Sequence, residues 1–253
     1  DALYAMGSKY RHDAAFDYEK MKSYFDPAAK TYARAADHAR SDPDVYRAEC
    51  ELWEKMGYAA DAIGKLTTEM DEADRACARA VESSSRDGAV RVQRAMAAYH
   101  RFSVATNTGV NVESARNAAI DAANDAVRVL PRDAMALYAK AATLYVETMV
   151  QASHGKPLAA TAAIDAFERV LDVDPRFTWA HNELGQTYLI QAEDHRHHGL
   201  DPREELDKAT KQFQRAVEVD PTFTFPVYGM IRSFFFNDTA TTEIYTLPYT
   251  TLV

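Results

Sequence analysis

Cysteine occurs twice in this sequence, tryptophan twice, and glycine and proline nine times each in 253 residues. So few breakers leave little for tight turns or strand corners, and Cys50 and Cys77 are too few for a disulfide framework. Both cysteines fall in helix-like patterns, which suits reduced, packed thiols. No stretch approaches about 18 uninterrupted apolar residues, and the N-terminus lacks the basic-then-apolar pattern of a signal peptide. A membrane-spanning segment is therefore not expected here. Basic residues are in deficit, 29 against 38 acidic, and the net charge of −9 repels a phosphate backbone or an anionic membrane surface. That argues against nucleic acid and membrane as partners, and the expected location is the cytoplasm.

Signatures of chemistry are missing too. The sequence contains no phosphate-binding or dinucleotide-binding glycine motif, no H-E-x-x-H, no G-x-S-x-G and no paired C-x-x-C. No catalytic residue and no cofactor is expected. His195, His197 and His198 form the one candidate metal cluster, but only His195 and His198 share a helical face, and no acidic or cysteine ligand is placed to complete a shell. A solvated helix end facing the negative C-terminal dipole is the preferred reading of these histidines, so no metal is assigned. The run Glu69, Asp71, Glu72 and Asp74 reads as solvated face.

What is abundant is alanine, the best helix former, carrying much of a 47% hydrophobic share. It recurs in a pattern. Pro43, Ser85, Pro131, Pro175 and Pro221 take equivalent places, in steps of 42, 46, 44 and 46 residues. Ala209, Phe213 and Ala216 form one stripe of a helix, with small residues where helices cross and a ring between them. Ala163 and Phe167 repeat it one unit earlier; Ala119, Ala123 and Ala126 do so before that, and Ala73, Cys77 and Ala80 before that. The facing helix offers Gly185 and Tyr188. A hairpin of two such helices cannot bury both faces alone, so each unit must stack on the next. Punctuation agrees: Gly199 suits a helix end, Asp201 an N-cap with Pro202 at N1 and Glu204 at capping-box spacing, and Gly155-Lys156-Pro157 marks the same joint earlier. Asp-Pro at 174–175 and 220–221 closes second helices. Helices are expected near 2–24, 27–40, 45–63, 66–83, 88–105, 113–130, 134–152, 158–172, 178–197 and 202–218, with a broken one from 223.

Leu184-Gly185 with Tyr188, then Ala209, Phe213, Ala216 and Pro221, resemble the tetratricopeptide repeat (TPR) family pattern L-G-x2-Y…A-x3-F…P. His181 stands at the family's tryptophan position, and each unit carries about ten residues beyond the family's roughly 34. The resemblance is strong over 166–223 and thins toward the N-terminus. It implies an all-α fold: a right-handed α-solenoid of about five helix-turn-helix units with lengthened helices, over residues 1–232 and truncated in its last unit. It also implies a function, a scaffold binding a protein or peptide on the concave face lined by first helices. Candidate partner-binding residues are Tyr99, Tyr138, Tyr145, Trp179, Asn182 and Gln186, although Tyr99 and Tyr145, 46 residues apart, also suit packing between units. Asp174 to Gly185 and Gly199 to Pro202 further resemble the repeat tails of bacterial serine/threonine protein kinases, and imply a regulatory or docking tail whose catalytic domain is elsewhere. A small-molecule sensor would need a closed pocket that the sequence does not reveal.

Residues 234–253, FFFNDTATTEIYTLPYTTLV, carry six Thr and one Ala. They resemble translated sequencing-adapter read-through; a genuine strand-like extension is the alternative. The expected division is therefore a repeat domain to 232 and a non-native or disordered tail over 233–253. The chain begins at Asp1 without Met, as a piece of a longer protein would.

Overall fold

The computed structural model describes residues 2–9, 16–65, 68–84, 86–155 and 160–237. Ser85, Lys156, Pro157 and the tail from 238 onward, on which some of the expectations above fall, lie outside the described residues. Among the described residues there are eleven helices and no strand: α1 Ala2–Ser8, α2 Tyr18–His38, α3 Pro43–Ala62, α4 Glu69–Ser83, α5 Gly88–Thr108, α6 Val112–Val129, α7 Ala134–Ser153, α8 Ala160–Val173, α9 Thr178–His197, α10 Arg203–Val219 and α11 Phe225–Asn237. The chain divides into two compact units, with the boundary between Leu130 and Pro131.

Local chemistry sets the helix ends. Asp17, Asp42, Asp87 and Asp133 each accept a backbone N–H with the side chain and so cap α2, α3, α5 and α7. Pro43 then opens α3 at the position where its missing N–H goes unused. Glycines in the left-handed region follow α3, α5, α7 and α9, namely Gly64, Gly109, Gly155 and Gly199, so one stands at the end of each of these first helices. The Asp-Pro steps terminate α8 and α10 as expected.

In the first unit, α1 lies against α2, and α3/α4 and α5/α6 form antiparallel hairpins. Met21, Phe25, Leu52 and Met56 are fully buried in one cluster with Ala28, Ala29, Ala59 and Ala60. In the second unit, α7/α8 and α9/α10 form hairpins and α11 packs on α10. Phe167 and Phe213 are fully buried there. Phe213 fills the space left by two glycines: a Cβ at Gly185 would stand 2.6 Å from its ring, and one at Gly229 would stand closer still.

Three expectations are corrected. Pro27 does not divide two helices: it lies inside α2, which starts only at Tyr18, so the helix expected over 2–24 is shared between α1 and α2. Met21, Phe25, Ala28 and Ala29 form one buried stripe running across Pro27, and its burial outweighs a proline penalty of roughly 3 kcal/mol. Cys50 and Cys77 are joined in a disulfide, with Cα atoms 5.1 Å apart, inside the range a bridge requires. Their places on facing stripes of α3 and α4 put them in contact, which spacing along the chain did not reveal. Finally, α10 starts at Arg203 with Pro202 at its N-cap, so Pro202 is not the first helical residue; Asp201 still accepts the N–H of Arg203, and Glu204 is held by Lys208, one turn further on, at 2.7 Å. The Asp201 carboxyl is lowered to about 2 by its side-chain and backbone hydrogen bonds from Arg203.

Candidate functional site

First helices meet one another through polar side chains about one repeat apart. In the second unit, Tyr138 Oη of α7 donates to Glu183 Oε1 of α9 at 2.9 Å, and Arg232 of α11 donates to Gln186 Oε1 at 3.1 Å. In the first unit Tyr4 donates to Glu51 at 2.7 Å, Asn107 to Asp61 at 2.7 Å, and His100 Nδ1 to Glu54. The separations run from 45 to 47 residues, so each bond links equivalent parts of successive units.

Glu54 is fully buried in α3 and is surrounded by donors: Lys55 at 2.9 Å, Gln93 at 3.2 Å and His100. Burial pushes its carboxyl up, but Lys55 and His100 draw it down further, and the balance holds it well below the usual carboxylate range. The His100 ring is itself stacked on Tyr58, centroids 4.2 Å apart, and lies 4.6 Å from that of Tyr99. Asp61 moves the other way, raised by burial with only partial relief from Asn107.

The sequence candidates fall into two groups. Tyr99, Tyr138, Tyr145 and Asn182 are buried. Tyr138 is committed to Glu183 and stacks on Phe177 at 4.9 Å; Tyr145 meets Phe167 edge-on at 6.4 Å. Trp179, 42% exposed, gathers Phe223 and Phe225 around it at 4.5 and 5.7 Å. Gln186 is half-buried against Arg232. Trp179, Asn182 and Gln186 sit at i, i+3 and i+7 on α9 and so share one face. Asn182 is 6% exposed, and its Oδ1 is buried with no hydrogen-bond partner.

His181, at the family's tryptophan position, performs a packing role by hydrogen bonding. Its Nε2 donates to the Pro175 carbonyl at 3.0 Å and its Nδ1 lies 2.7 Å from Gln212 Oε1, tying α9 to the preceding turn and to α10. His195 lies 3.2 Å from Glu205 and His198 3.4 Å from Asp194; among the described residues no group of three His, Cys, Asp or Glu is placed to hold a metal ion. No described helix is long and apolar enough to cross a membrane.

Glu54, His100 and Glu183 were not singled out from the sequence. The signal that could have found them is the pairing of an acid with a donor one repeat step away in the chain: Glu54 with His100, Asp61 with Asn107, and Tyr138 with Glu183.

No protein-family model and no curated protein matches the sequence. Solved structures do match in fold. A thermophilic TPR protein of Thermus thermophilus, TTC0263, aligns with a TM-score of 0.59 at 16% identity, over 92% of this chain and 98% of that one. YrrB, described as a TPR protein with an unusual peptide-binding site, aligns at 0.44 and 16% identity over 90% and 97% of the two chains. MamA aligns at 0.42 and 21% identity over 85% and 95%. The first of these establishes that the chain has a TPR fold.

Proposed function

We propose that this chain is a protein-interaction scaffold that holds a peptide or an extended protein segment on the first-helix face of its second unit. The carrying observation is the exposed Trp179, with Phe223 and Phe225 gathered around it, on the α9 face it shares with Asn182 and Gln186. An extended peptide segment docks by its backbone and by side chains that seat on apolar area. Trp179, flat and amphipathic, supplies such area at small entropic cost. A cytoplasmic location fits this reading.

Selection of short peptides from a random display library against residues 1–253, followed by anisotropy titration, tests the proposal. Trp179→Ala with Asn182→Ala should weaken the selected peptides at least tenfold, since each contact is worth on the order of 1 kcal/mol. Equal affinity for the double variant would remove α9 from the binding face. A narrower form of the same reading makes the scaffold a docking tail of a bacterial serine/threonine protein kinase. Its support is the resemblance of Asp174 to Gly185 and Gly199 to Pro202, and the full-length gene tests it directly.

A further inference from the structure

We propose that the Cys50–Cys77 disulfide is a redox-responsive staple: oxidised, it holds the α3/α4 hairpin shut, and reduced, it lets that hairpin open while the α9/α10 hairpin stays as it was. The inference is independent of what the scaffold binds.

Position carries the argument. Ala73, Cys77 and Ala80 of α4 repeat the places of Ala209, Phe213 and Ala216 of α10. In α10 the middle residue is a fully buried ring that fills the gap at Gly185 of the facing helix. Both described second helices of the second unit use Phe at this place, Phe167 in α8 and Phe213 in α10. In α4 the place belongs to a thiol, and the residue it meets on α3 is another. The cluster around the bond is Cys50, Ala76, Cys77 and Ala97, so α5 adds only a methyl group. Four small side chains bury little apolar area compared with a phenylalanine. A covalent bond therefore does at this crossing what a ring does in the second unit.

The chemistry is balanced by a dithiol reductant. One of its thiolates attacks the disulfide, the Cys50–Cys77 bond breaks, and both residues end as thiols, while the reductant closes into its own disulfide and supplies two electrons and two protons. Both cysteines are buried, at 0% and 3% exposure. Attack therefore waits on opening of the hairpin, and reduction and opening reinforce each other. In a cytoplasmic protein such a bond is transient and redox-sensing more often than permanent.

The test uses the whole chain, residues 1–253. Maleimide labelling under denaturing conditions, read by mass, should find no free thiol in the air-oxidised protein and two after dithiothreitol. Native hydrogen exchange should then show α3 and α4 amides exchanging on the order of a hundredfold faster after reduction, with α9 and α10 unchanged. Cys50→Gly with Cys77→Phe transplants the ring-on-glycine contact and should make exchange in α3 and α4 indifferent to dithiothreitol. Should that variant not fold, Cys50→Ala with Cys77→Ala serves: it should exchange like the reduced protein whether or not dithiothreitol is present. Two free thiols in the oxidised protein, unchanged α3 and α4 exchange on reduction, or a dithiothreitol effect that survives in a cysteine-free variant would each overturn the proposal.

Discussion

Replacing Gly185 by leucine should destabilise the second unit, and the geometry sets the size of the effect. A Cβ built at Gly185 stands 2.6 Å from Phe213 Cε1, 2.8 Å from Cδ1 and 2.9 Å from Cζ, closer than real contacts allow. The ring cannot retreat across the crossing, because a Cβ at Gly229 would already stand as close to it. Glycine to leucine in a helix interior gains just under about 1 kcal/mol of propensity. Overpacking a closed crossing costs about 1–3 kcal/mol for modest additions, and a whole isobutyl group belongs at or above the top of that range. The net expectation is a loss of about 2 kcal/mol, or roughly 4–8 °C in melting temperature for a chain of this size. Thermal melting followed by circular dichroism in the far ultraviolet reads it. Phe213→Ala in the same chain should cost less in the Gly185→Leu background than alone, because the leucine then occupies the space of the ring. An unchanged or raised melting temperature for Gly185→Leu, or strictly additive losses in the double variant, would refute the register assigned to α9 and α10.

Pro27→Ala should raise the melting temperature, by about 2 kcal/mol of stability once the lost proline rigidity of the unfolded chain is set against a restored helix, and calorimetry checks it. Gly109→Ala should cost about 1 kcal/mol in the same assay although open space surrounds the position, because its backbone is left-handed at φ 71°. Glu54→Gln should destabilise the first unit by on the order of 3 kcal/mol at neutral pH, since it leaves Lys55 and His100 facing an uncharged amide. The pH dependence has a definite sign. The Glu54 carboxyl is lower in the folded protein than in the unfolded chain, so its contribution is present above about pH 4.3 and is lost as pH falls from there through the folded-state value; acid titration of stability should be flatter in Glu54→Gln.

Residue order alone determined most of the helices and their ends, because these are local matters. Aspartate caps, glycine ends and Asp-Pro stops act within one turn of where they stand, and the stripe of Ala209, Phe213 and Ala216 declares its buried face by spacing. The same locality explains the repeat: a period of 42 to 46 residues is written in the chain and needs no coordinates. Tertiary structure decided what depends on neighbours distant in sequence. Pro27 stays inside α2 because Leu52 and Met56 of α3 cover the stripe that crosses it. Cys50 and Cys77 meet because two hairpin helices present their crossing residues to each other. Burial of Tyr99, Tyr138 and Tyr145, and the unanswered acceptor of Asn182, depend on how one first helix lies on the next. That placement is set by side-chain fit between residues 45 to 47 apart in the chain, and no local preference encodes it.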